Sequence, residues 1–273
     1  MSRENKLVWI FSGTSDGNRI AAEMIGRGYR ANIFVASEFG KRVAAETLPP
    51  QLINAGRLSK QGLHEKWALE EPTVILDATH PYAVEISRNL MELCLEKNIP
   101  YARYERPDEV NQAKGIHLVD DAAAAAECSM RLGKRLLLTT GSKDIDPFLN
   151  RRFIGEIFIR MLPDPDLIRP LLERGISPKN IIAMQGPFSL SLNKAMLADF
   201  RIDCLVTKSS GKEGGYSEKI DAAKDAGIPV VVIKRPQMDY PVAFQSTEEV
   251  FQFLNSRGVT VSSAPQITNK MFS

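Results

Sequence analysis

Two stretches of this chain repeat one plan about half a chain apart. The run Lys6 to Gly17, K-L-V-W-I-F-S-G-T-S-D-G, is a continuous apolar segment that ends in small and hydroxyl residues and then opens an amphipathic stretch. The run Arg135 to Asp144, R-L-L-L-T-T-G-S-K-D, follows the same order, with Gly13 matched by Gly141 and Asp16 by Asp144, 128 positions on. A second echo lies at nearly the same spacing, where Ile99-Pro100 through Arg106-Pro107 is matched by Ile228-Pro229 through Arg235-Pro236. Each apolar run reads as strand, turn, helix, and two echoes at one spacing imply two similar halves. A turn at a parallel strand's carboxyl end places backbone N–H groups and a helix start where a phosphate can sit.

The length of 273 residues, 44% hydrophobic and 25% charged, is enough for two separate cores. A net charge of +2 argues against a nucleic-acid partner held by bulk charge, while leaving room for local basic clusters that meet a small anion. No apolar run approaches the roughly 18 residues that span a bilayer, and Met1 to Lys6 is polar, so a cytoplasmic protein without a membrane partner is expected. Three scattered cysteines, Cys94, Cys128 and Cys204, read as buried thiols, with no disulfide framework and no metal site. Nothing in the sequence fixes the oligomeric state.

In the first half, Ile20, Ala21, Met24 and Ile25 recur at helical spacing and Gly28 marks a stop. Ala31 to Ala36 is the next strand, and its end is where a dinucleotide fold meets the adenosine ribose. Glu38 there suits a ribose 2′-OH, whereas Ser37 with Lys41 and Arg42 suits a 2′-phosphate, which is the form preferred. Leu52 to Asn54 is a short strand. Thr73 to Ala78 is a buried one that delivers Asp77, Thr79, His80, Pro81 and Tyr82 to its carboxyl end, with Pro81 expected in the first turn of the next helix. Either Thr79 caps that helix and His80 hydrogen-bonds locally, or His80 is a residue of binding or proton transfer.

Each half then closes with a strand, Arg-Pro, an extended segment and a helix. These arms, 116–132 and 243–257, either complete their own sheet or cross to the other. The division expected is 1–112 for the first domain and 113–273 for the second, with exchange of either arm left open.

The second half runs through strands Arg135 to Thr140, Phe153 to Met161, Asn180 to Met184, Cys204 to Thr207 and Val230 to Ile233, with helical stretches between them. The fold class is therefore α/β, two similar Rossmann-like domains whose mainly parallel sheets face a shared cleft. The loop Lys208 to Tyr216, K-S-S-G-K-E-G-G-Y, is rich in glycine, which lets backbone N–H groups close on an anion. It lacks the spacing of a Walker A loop, and Gly13 to Gly17 does not satisfy G-x-G-x-x-G. Lys143, Arg160, Lys208 and Lys212, with Arg106 or Arg235, would draw a ligand bearing several carboxylates or phosphates. No metal cluster or Ser-His-Asp order stands out, so a cofactor that carries the chemistry is the simpler reading.

The set G-T-S-D-G at 13–17, D-A-T-H-P-Y-A at 77–83, T-T-G-S-K-D at 139–144, R-M-L-P at 160–163, M-Q-G-P-F-S at 184–189 and V-T-K-S-S-G-K-E-G-G at 206–215 with E-K-I at 218–220 resembles the precorrin-6A reductases of cobalamin biosynthesis, including the cobalt-precorrin enzymes. The resemblance covers about residues 6–257. It implies reduction of one double bond of a corrin-precursor macrocycle with NADPH as the hydride source, a tetrapyrrole with many acid arms being the partner. Gly13, Thr14, Ser15, Asp16, Ser37, Thr79, Gly141, Gly214 and Gly215 are then the expected cofactor residues. Lys143, Arg160, Gln185, Lys208 and Lys212 are the expected substrate residues, and His80 is the expected proton donor. A reductase of another polycarboxylate, or a nucleotide-binding module without activity, are the alternative readings.

Overall fold

The computed structural model describes residues 6–107, 114–142, 144–149, 153–211 and 214–259. The chain divides into two units, residues 1–106 with 238–273, and residues 107–237.

The first unit is built on a parallel sheet of β1 (Leu7–Ser12), β2 (Arg30–Val35), β3 (Ile53–Ala55), β4 (Val74–Ala78), β5 (Tyr101–Tyr104) and β12 (Ala243–Phe244), in the order β12-β5-β4-β1-β2-β3. Its helices are α1 (Ser15–Gly26), α2 (Glu38–Ala44), α3 (Lys60–Glu70), α4 (Val84–Lys97) and α9 (Thr247–Ser256). Alternation along β1 sends Val8 and Ile10 to one face, where Ile20, Ala21 and Met24 of α1 and Val250, Phe251 and Leu254 of α9 cover them. Leu7, Trp9 and Phe11 go to the other, under Leu63 of α3 and Leu90 and Leu93 of α4. A strand buried on both faces reads as an unbroken apolar run, and β1 does so.

The second unit carries β6 (Ile116–Val119), β7 (Arg135–Leu138), β8 (Glu156–Met161), β9 (Ile181–Ala183), β10 (Cys204–Lys208) and β11 (Val230–Ile233), in the order β6-β11-β10-β7-β8-β9. Its helices are α5 (Ala122–Leu132), α6 (Pro165–Glu173), α7 (Leu190–Asp199) and α8 (Tyr216–Asp225). Both sheets have the order of a doubly wound dinucleotide fold, in which the strand order reverses between the first and fourth strands. Cys94 and Cys204 are buried, and burial pushes both thiols up to about 12; Cys128 is only partly covered.

The sixth strand of each sheet comes from the other half of the sequence. β6 pairs with β11, and β12 pairs with β5 through Ala243 opposite Arg103 and Phe244 opposite Tyr104. Residues 238–259 therefore belong with the first unit, and the division expected at 112/113 differs from the structure at this end. The reason is local: the Arg103 and Glu105 amides donate to the Val242 and Phe244 carbonyls, both at 2.9 Å, and the apolar side of α9 fills the first core. The candidate linker 108–113 lies outside the described residues.

Two local expectations change. The helix after β4 starts at Val84, so Pro81 sits in a turn before it, and Thr79 is not its cap. After β7 the plan of strand, turn, helix is not repeated among the described residues, where a 3-10 turn over Asp146–Leu149 stands at the place of α1. No helix among the described residues is long and apolar enough to cross a membrane.

Candidate functional site

In the first unit the loops after β1 and β4 flank the point where strand order reverses, the place where open parallel sheets hold ligands. Thr14 caps α1, its hydroxyl accepting from the Gly17 amide at 3.0 Å and donating to the Ala78 carbonyl at 3.3 Å, so one side chain ties both loops together. Gly17 is where the helix comes closest to the sheet. A Cβ on it would lie 2.5 Å from Ser12 Oγ and 3.0 Å from the Ala78 carbonyl oxygen, so only hydrogen fits. Gly13 is exposed, and the nearest atom to a Cβ placed there is the His80 amide nitrogen at 3.8 Å. Ser15 is exposed beside it. Asp16 accepts from Arg19 at 3.3 Å and from Arg106. Ser37 is exposed and caps α2, accepting from the Gly40 amide at 3.1 Å.

Beneath the β4 loop lies a buried polar cluster. Asp77 and Arg103 are both 0% exposed; Arg103 Nη1 donates to Asp77 Oδ1 at 2.7 Å and to Thr79 Oγ1 at 3.0 Å. Asp77 Oδ1 also accepts from the Thr79 amide at 3.0 Å and its hydroxyl at 2.7 Å, and Oδ2 accepts from the Tyr101 hydroxyl at 2.8 Å. Burial, together with the Asp77 carboxylate, drives the Tyr101 phenol well above its ordinary pKa. Thr79 is thereby locked under His80. The His80 Nδ1 accepts from the Tyr82 amide at 3.4 Å, and the two rings lie 5.5 Å apart.

The second unit presents a different set at its strand ends. Gly141 has φ +82°, and Gly215, at φ +62°, precedes α8 without a side-chain cap; a Cβ on Gly214 would meet Ser210 Oγ at 2.3 Å. Lys208 pairs with Asp144, while Gln185 is exposed in the loop after β9. Arg160, only 6% exposed at the end of β8, donates to Asn193 Oδ1 at 2.7 Å and lies 4.3 Å from the centroid of the Phe188 ring. Burial lowers its pKa to about 10. Lys143 and Lys212 lie outside the described residues.

A model of the family described as "Precorrin-6x reductase CbiJ/CobK" matches residues 7–255. The chain belongs to this family. Among relatives of the precorrin-6x reductase family, the cobalt-precorrin-6A reductase of Methanococcus maripaludis is 32% identical over 91% of this chain and 99% of its own length. That of Salmonella typhimurium is 34% identical over 84% of this chain and 87% of its own. A solved structure of CobK precorrin-6A reductase superposes with a TM-score of 0.75 at 24% identity, covering 93% of this chain and 98% of that one, and so shares the fold.

Within this precorrin-6x reductase chain, the first unit brings Gly13, Thr14, Ser15, Asp16, Thr79 and His80 to one edge of its sheet, and Ser37 lies at the end of β2 in the same unit. Gly141, Gly214, Gly215, Arg160, Gln185 and Lys208 belong to the second unit. Gly17 and Arg103 take part in these clusters without being among the expected site residues. Gly17 is visible as the end of the G-T-S-D-G run. Arg103 lies inside an ordinary strand, and only the register that sets it opposite Asp77 reveals it.

Proposed function

We propose that the protein reduces one double bond of a precorrin-6A or cobalt-precorrin-6A macrocycle in cobalamin biosynthesis, with hydride from NADPH. The observation that carries this reading is the family match over residues 7–255. The first unit suits a dinucleotide because the capped start of α1, the glycine that lets it approach the sheet and the exposed Gly13 backbone coincide at the strand-order reversal. Bound there, the nicotinamide supplies the hydride.

The chain's own residues hold and orient. Gly13, Thr14 and Ser15 offer backbone and hydroxyl groups to the pyrophosphate, and Asp16, held by Arg19 and Arg106, fixes the loop. Ser37, with Lys41 and Arg42 in the turns of α2, takes the ribose 2′-phosphate. Gly141, Gly214 and Gly215 keep the second unit's loops open to an anion, and Arg160, Gln185 and Lys208 meet the acid arms of the ring, Lys208 in competition with Asp144. His80 delivers the proton as an imidazolium that solvent re-forms after each turnover; in the neutral ring left behind Nδ1 accepts from the Tyr82 amide, which sets the remaining proton on Nε2.

Anaerobic assays with metal-free and cobalt-containing precursor, following loss of NADPH absorbance, test the reading. Oxidation that requires the macrocycle is expected, and NADPH that stays reduced with both precursors refutes it.

A further inference from the structure

The two sheets are in equivalent register, and one row of side chains differs between them in a telling way. In the first sheet the row across β2, β1, β4 and β5 is Phe34, Phe11, Asp77 and Arg103. Phe34 stacks on Phe11 with ring centroids 4.6 Å apart, and the only charges in the row are the paired Asp77 and Arg103. In the second sheet Thr207 and Val232 stand at the places of Asp77 and Arg103, so the ion pair is gone, and Arg160 follows Ile159, which pairs with Leu138, as Phe34 follows Ile33, which pairs with Ile10.

Arg160 has no carboxylate partner among the described residues; its contacts are the Asn193 oxygen, the Met196 sulfur at 3.6 Å and the Phe188 ring. A second cation comes toward it from α8. Lys219 is also only 6% exposed, and its side-chain ammonium forms no hydrogen bond or ion pair with a described residue. Arg160 and Glu218 are the charged groups that bear on its ammonium, and burial with the Arg160 charge lowers it to about 7. Glu218 Oε2 is itself buried without a hydrogen bond. When Lys219 is protonated, two largely buried cations stand against one carboxylate and leave an excess of positive charge. A fold retains that at a cost unless an anion completes the set. Gly215 closes one side of this set in ordinary contact, the position a Cβ would take lying 3.7 Å from Glu218 Oε2, 3.8 Å from Pro187 Cβ and 3.9 Å from the Phe188 amide nitrogen.

We infer that Arg160 and Lys219, walled by Phe188 and Gly215, form a subsite for a single carboxylate, and that in the reaction proposed above it takes one acid arm of the macrocycle. The inference rests on that reading for the identity of the ligand only. One net positive charge and a planar guanidinium suit a singly charged, planar carboxylate better than a phosphate dianion.

The test uses the full chain as wild type, Lys219→Met, Arg160→Gln and Lys219→Arg. Cobalt-precorrin-6A affinity is read by absorbance titration, NADPH affinity by fluorescence, and thermal stability with and without glutarate. Lys219→Met and Arg160→Gln should weaken macrocycle binding by at least about tenfold, as loss of a charged hydrogen bond to a buried anion does, with NADPH affinity unchanged and partial recovery in Lys219→Arg. Weakened NADPH binding with intact macrocycle binding would assign the site to a phosphate and overturn the proposal, as would unchanged affinity for both. If the wild type binds no macrocycle, the proposed reaction falls while the subsite is still decided: glutarate raising the Tm of wild type but not of Lys219→Met upholds it, and an equal response of the two overturns it.

Discussion

Asp77 and Arg103 face each other across β4 and β5 with no solvent contact, joined at 2.7 Å. The pair shares its charge with Thr79 and Tyr101, so it sets the conformation of the loop that carries His80. Removing one partner strands the other as a buried charge, which costs about 3–5 kcal/mol. Arg103→Met should therefore lower the urea midpoint strongly at neutral pH, and a variant with an unchanged midpoint would show that the pair does not hold this loop.

Gly17 and Gly26 sit in the same helix and should respond to alanine in opposite directions. At Gly17 a methyl group meets the Ala78 backbone at 3.0 Å and the Ser12 side chain at 2.5 Å, so Gly17→Ala forces α1 away from the sheet, costing about 1–3 kcal/mol as overpacking does, and if the proposed cofactor site is right NADPH affinity should fall with it. At Gly26 nothing lies within 4 Å, and the helical backbone gains about 0.5–1 kcal/mol from alanine. Thermal melts and NADPH titrations of the two variants separate the loop's geometry from any general effect of altering α1.

Much of this architecture is legible in the sequence because fully buried parallel strands write themselves as apolar runs. Val230–Ile233 coincides with its expected span, and Leu7–Ser12 emerges from the apolar run that ends at Phe11. What the sequence hides is long-range pairing. The two-residue strand Ala243–Phe244 has no pattern of its own and is defined only by the Arg103 and Glu105 amides opposite it. The missing helix after Gly141 is equally silent, since T-T-G-S-K-D resembles a helix entry and only the structure shows the 3-10 turn that follows. Of the candidate site residues, the glycines and hydroxyls stood out by composition. Lys219 did not, because a lysine in a helix is ordinarily solvated and its burial depends on α8 packing against α7.

Phe251 shows how firmly the C-terminal arm belongs to the first unit. Its ring lies 5.6 Å from that of Tyr29, with the Arg27 guanidinium 3.9 Å from its centroid, and only 3% of it is exposed. Phe251→Ala should destabilise the first unit by about 3–5 kcal/mol. Hydrogen exchange should then quicken in β1 and α1, which are far from residue 251 in sequence. If exchange quickened only within α9, the arm would be a dispensable appendage.

His80 as proton donor predicts a specific kinetic pattern. Loss of a positioned acid lowers turnover by about 10²-fold or more, so His80→Ala should lose turnover while keeping NADPH affinity, and the pH dependence of turnover that the imidazole imposes should vanish. Wild-type turnover across the whole pH range would exclude the role.

Lys219 ties folding stability to pH through its charge. In the unfolded chain this lysine keeps its ordinary pKa near 10.5, whereas burial and Arg160 bring it to about 7 in the folded protein, Glu218 opposing them. Between these values the unfolded chain binds more protons than the folded one, so folding stability from this group rises as pH rises from about 7 to 10.5 and is fully lost below 7. Lys219→Met removes the penalty. The variant should melt higher than wild type at pH 6.5, by roughly 2–4 °C for each kcal/mol recovered, and the gap should narrow steadily toward pH 10. A variant that melts lower at every pH would mean that the ammonium is already neutralised in the free protein, and the cost that an anion is needed to offset would not exist.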